Sequence, residues 1–115
     1  MKGPELRAER NRERVIQAAL DLFQTHGIKK VSVNDIARKA GVTPATVYNQ
    51  FGSKDTLVRE AAKKWYIRTL EDYQKILQTE QPFEEKLKNI MLFKTTLARK
   101  LHVEFVLTTY QSAGR

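Results

Sequence analysis

The stretch GVTPATVYNQFGSKDTL, residues 41–57, decides how this chain is read. Gly41 stands where one helix stops, and Thr43-Pro44 where the next starts. Thr43 suits the N-cap, and Pro44 suits the first helical position, where a missing N–H costs nothing. Val47 and Phe51 lie four apart, on one side of a helix running to about Phe51, and Gly52-Ser53 breaks it before Lys54 opens another. Ala45, Thr46, Tyr48, Asn49 and Gln50 fall on the outer side. A helix this short and polar is marginal alone, so its neighbours must hold it.

Those neighbours are legible upstream. Ser32 and Asp35 have the spacing of an acidic capping box, which satisfies free N–H groups at a helix start. Ile36, Ala37 and Ala40 make the buried side of that helix. Ala37 allows close crossing, Gly41 the sharp turn, and Val42 and Val47 lock the second helix on the first. Two helices joined by so short a turn with a glycine form a helix-turn-helix. Before them, Val15, Ala19 and Phe23 share a stripe with Ile16 and Leu20 beside it, and Gly27 suits a left-handed C-cap. Ile28 and Val31 fold the connecting turn onto the core. A basic arm, KGPELRAERNRER, is read as preceding that first helix. Its alternating Arg and Glu fit either a helix laced with i, i+4 ion pairs or arginines that reach phosphate.

Downstream, a long helix is expected from Lys54 to about Thr79, a fifth after Pro82, and a sixth from about His102 to Gln111. The segment HVEFVLTTY within the last also satisfies a strand pattern. The fold class is therefore all-α. Residues 1–53 make a helix-turn-helix domain with its basic arm, and residues 54–115 a linking helix with the beginning of a second helical domain.

Composition narrows the function. The 115 residues carry a net charge of +8, and residues 1–64 hold 13 Lys and Arg against 7 Asp and Glu. That half carries the field that attracts a polyanion. There are no cysteines, hence neither disulfides nor thiolate chemistry. No apolar run approaches a membrane span, and no secretory signal opens the chain. His26 and His102 stand singly, without a carboxylate cluster at ligand spacing, so no metal or cofactor is called for. Trp65, Tyr66 and Tyr73 read as core before ligand site. Without a nucleophile–base pair, phosphate loop or paired carboxylates, an enzyme is set aside.

The outer face of the third helix suits a DNA major groove. Asn49 and Gln50 have the amide that pairs bidentately with adenine, and Ala45 or the Thr46 methyl matches a thymine methyl. Thr43, Tyr48 and Lys54 suit phosphate oxygens, as do free N–H groups at helix starts.

The block VSVNDIARKAGVTPATVYNQFGSKDTLVRE, with IQAALDLFQTHG before it, resembles the DNA-binding domain of TetR-type transcriptional regulators over about residues 10–60. The resemblance implies a homodimer on a palindromic or pseudopalindromic operator, usually repressing transcription. It implies DNA contacts at Ser32, Asn34, Thr43, Pro44, Ala45, Thr46, Tyr48, Asn49, Gln50 and Lys54. Family members continue into further helices that build an effector pocket and most of the dimer interface. The chain is accordingly expected to be a fragment of a longer regulator or a short one that associates through residues 54–110. A small-molecule effector is expected only with a complete C-terminal domain. The alternative function is a truncated regulator that forms mixed dimers. Double-stranded DNA in the cytoplasm is the expected partner.

Overall fold

The computed structural model describes residues 3–100, with side chains through Thr96. Among these the chain is all-helical: α1 (Gly3–His26), α2 (Val33–Ala40), α3 (Pro44–Phe51), α4 (Lys54–Gln78) and α5 (Phe83–Lys100). The expected sixth helix lies outside the described residues. No helix among them is long and apolar enough to cross a membrane.

The first difference from expectation is at the N-terminus. The residues read as an arm are helical from Gly3, so α1 runs unbroken for 24 residues. Little between Glu5 and Glu13 opposes a helix: apart from Asn11 the segment is Arg, Glu, Ala and Leu, which propagate helix well, with no internal proline. Two of its charged side chains pair outside the helix. Arg12 lies 3.6 Å from Glu60, and Glu13 3.1 Å from Lys64, both across to α4.

One core holds the head together. Val15, Ile16, Ala18, Ala19, Leu20 and Phe23 of α1 meet Val33, Ile36, Ala37 and Ala40 of α2, with Val47 and Phe51 of α3. The core continues into α4 through Leu57, Val58, Ala61 and Trp65, so it extends past residue 53. Ile28 and Val42 close its edges, and Val31 is buried between α1 and α2. Each fully buried branched or aromatic side chain contributes roughly 1.5–3 kcal/mol by leaving water. Beyond Trp65, α4 departs from this core. Tyr73 meets Phe93 of α5 edge to face, with centroids 5.0 Å apart, and Tyr66 is exposed. Trp65 is thus core, as its stripe implied.

Candidate nucleic-acid interface

The local chemistry that fixes α2 and α3 is all present. The Ser32 hydroxyl accepts the Asp35 amide at 3.1 Å, and the Asp35 carboxylate accepts the Ser32 amide at 3.0 Å. That reciprocal pair, with the Ser32 amide foremost, holds the Asp35 carboxyl below its ordinary value of 3.8. At the other end of α2, Gly41 adopts φ 75°, ψ 31°. Its amide reaches the Arg38 carbonyl at 3.3 Å, and the Val42 amide reaches Ala37 at 3.0 Å. This is the doubled hydrogen-bond pattern of a Schellman cap, with apolar Val42 folded onto the helix it ends. Thr43 then caps α3 by accepting the Thr46 amide at 3.2 Å, while the two threonine hydroxyls share a hydrogen bond of 2.9 Å. Gly52 at φ 79° ends α3, and Ser53 caps α4.

The outcome is a rod of eight residues anchored by two. Val47 and Phe51 are the buried residues of α3. Thr43, Pro44, Ala45, Tyr48 and Asn49 are exposed, with Tyr48 at 52%. Ser32 and Asn34 are exposed at the start of α2, and Thr46 is half-buried. Six of these positions lie at the start and on the outer side of α3, and Ser32 and Asn34 at the start of α2.

Two others are placed differently. Gln50 does not face outward: its Nε2 donates to the Ala8 carbonyl of α1 at 3.0 Å, and its Oε1 is buried without a hydrogen-bond partner. Lys54 is half-buried, and its Nζ donates to the Ile28 carbonyl at 2.7 Å, tying α4 to the α1–α2 turn. Neither contact is visible in helical periodicity, because the partners are 42 and 26 positions away.

The structure also adds cations that motif reading passed over. Lys29 and Lys30 are exposed in the turn before α2, and Arg38 and Lys39 are exposed along α2. Their only signal in the sequence is charge, which an ordinary surface shares. Among the described residues, no cluster of His, Asp and Glu is arranged to hold a metal ion.

A short polar helix, presented by a left-handed turn from a second helix and leaving its outer side open, defines a helix-turn-helix protein. Residues 15–61 match the family model TetR_N, bacterial regulatory proteins of the tetR family. The uncharacterized HTH-type transcriptional regulator YvdT of Bacillus subtilis is 30% identical over 98 residues, covering 85% of this chain and 50% of that protein. The HTH-type transcriptional repressor KstR2 of Mycolicibacterium smegmatis is 29% identical over 104 residues, covering 90% of this chain and 50% of the relative. A crystal structure of the TetR transcription regulatory protein from Mycobacterium vanbaalenii superposes with a TM-score of 0.64 at 31% identity. That match covers 89% of this chain and 62% of the other. Residues 15–61 are an N-terminal domain of the tetR family type. The chain spans about half the length of the curated relatives it matches.

Proposed function

We propose that the chain is the DNA-binding part of a transcriptional regulator, acting as a repressor on a palindromic or pseudopalindromic operator. The observation that carries this reading is α3 itself: two buried anchors, a cap at each end, and an exposed outer side of Ala45, Tyr48 and Asn49. The long axis of a major groove accepts such a helix, with its first residues against base edges. Asn49 is the amide reader, and Ala45 and the Thr46 methyl are its apolar companions. Thr43, Tyr48, Ser32 and Asn34 hold phosphates, Pro44 keeps the first turn close to the backbone, and Lys54 contributes its ammonium from the start of α4. The names of the relatives, a transcriptional repressor among them, support the same reading.

A homodimer is the assembly proposed. Ile67, Leu70 and Leu77 on α4 and Leu87, Met91 and Leu92 on α5 are all exposed by about half or more. A soluble monomer rarely leaves so many large apolar groups together. The same faces serve the alternative reading, a regulator that pairs with a longer copy and blocks it. An effector would need the helices that the full-length relatives carry beyond this region, and the proposed place of action is the cytoplasm.

Selection of bound DNA from a random duplex pool tests the reading. A consensus with two inverted half-sites is the expected result. Enrichment of no sequence at all over the input would overturn it.

A further inference from the structure

For Gln50 to read adenine it must offer both its Nε2 and its Oε1 to the groove. In this structure Nε2 is engaged with the Ala8 carbonyl and Oε1 is buried. The next residue, Phe51, carries the Arg12 guanidinium over its ring, 4.6 Å from the centroid. Ala8 and Arg12 are one helical turn apart on the same side of α1. Two successive turns of α1 therefore grip two successive residues at the end of α3.

The grip matters because little else holds this part of α1. Among the described side chains the first buried one of α1 is Val15, and those from Glu5 to Arg10 are exposed, Leu6 included. Helix α3 has its two buried anchors, Val47 and Phe51, on a single stripe, and the Gln50 contact lies beside that stripe. A contact off the stripe is what defines the rotation of a helix about it. Arg12 extends the same contact to Glu60 of α4 at 3.6 Å.

We propose that Gln50 is a positioning residue that, with Arg12, clasps the first turns of α1 to the end of the recognition helix and sets its roll angle rather than reading a base. The inference rests on the DNA-binding reading. It concerns how the head is held, and part of its test needs no DNA.

Two near-isosteric substitutions separate the roles. Gln50→Met keeps the length and removes the donor to the Ala8 carbonyl without adding charge. Gln50→Glu sets an oxygen against the Ala8 carbonyl and opens the clasp. In the free full chain, amide exchange over residues 9–14 rises about threefold to tenfold in Gln50→Glu, the range of one lost hydrogen bond. In Gln50→Met, which loses the same hydrogen bond without adding charge, it rises within the same range. Arg12→Met raises exchange in the same turns, and Arg12→Lys, which keeps a cation over Phe51, restores it.

With DNA, Gln50→Met selects the same base at every operator position as the parent. In Gln50→Glu the ratio of specific to non-specific affinity falls about threefold to tenfold. The added charge opposes both kinds of DNA alike, so it does not move that ratio, and neither does a loss of stability alone. Altered base preference in Gln50→Met, or unchanged exchange in Gln50→Glu, overturns the assignment. If the parent selects no sequence, the DNA reading fails, and the exchange measurements still decide whether the clasp exists.

Discussion

The Val42 amide donates to the Ala37 carbonyl at 3.0 Å, across a turn whose central residue, Gly41, has φ 75°. This one bond sets where α3 begins relative to α2. A Cβ built on Gly41 meets nothing within 4 Å, so any cost of a side chain there comes from backbone conformation and not from crowding. For an L residue that cost is about 1–2 kcal/mol, and Asn bears it best.

Gly41→Asn, Gly41→Ala and Gly41→Val should therefore lower Tm in that rising order. The alanine variant should lose roughly 4–16 °C, at about 4–8 °C per kcal/mol for a head of this size. Thermal unfolding by circular dichroism measures it. Equal losses in all three would mean that crowding, not φ, is at issue.

The capping box of α2 has a pH signature. Because the folded Asp35 carboxyl titrates below 3.8, its contribution is complete above that value and is lost as the pH falls through the depressed one. The Arg38 guanidinium, 3.9 Å away, and His26 act in the same direction as the Ser32 bonds. Asp35→Asn should melt below the parent at pH 7, and the gap should close as the pH drops below about 4. A gap of constant size from pH 7 to pH 2.5 would contradict the assignment.

On DNA, the exposed and the tethered residues should behave differently. Tyr48→Phe is expected to weaken binding to all sequences alike, with no change in Tm. Lys54→Ala should weaken binding, flatten the salt dependence, and also lower Tm by a few degrees, because its ammonium is bonded to the Ile28 carbonyl. Asn49→Ala should relax preference at one operator position by about 1–3 kcal/mol. Titrations on a panel of operators at several salt concentrations, with parallel melts, distinguish the three.

The apolar faces of α4 and α5 predict association. Leu70 is 45% and Met91 62% exposed. Covering the exposed half of one such side chain is worth roughly 1 kcal/mol, about fivefold in a dissociation constant. Sedimentation at micromolar concentration should show dimers or larger species, and Met91→Glu or Leu70→Glu should shift them toward monomer by at least that factor. A parent chain that sediments as a monomer would count against the dimer.

Much of this molecule follows from neighbouring residues alone. Ser32, Thr43 and Ser53 cap helices because a short hydroxyl side chain reaches the amide three residues on, wherever the rest of the chain lies. Gly41 ends α2 because only a left-handed residue closes its last turn, and Val15, Ala19, Phe23, Val47 and Phe51 are buried because helical spacing puts each group on one stripe. Interactions over three or four positions are written in the order of residues, and the helix-turn-helix is made of them. What the folded chain alone decided is where α1 touches α3 and α4. The arm became helix, Arg12 came to lie over Phe51, Gln50 turned from the groove to Ala8, and Lys54 closed on Ile28. Each of these is a polar or cationic group with several partners of similar strength, and the choice among them depends on which helices the apolar core has already brought within about 3 Å.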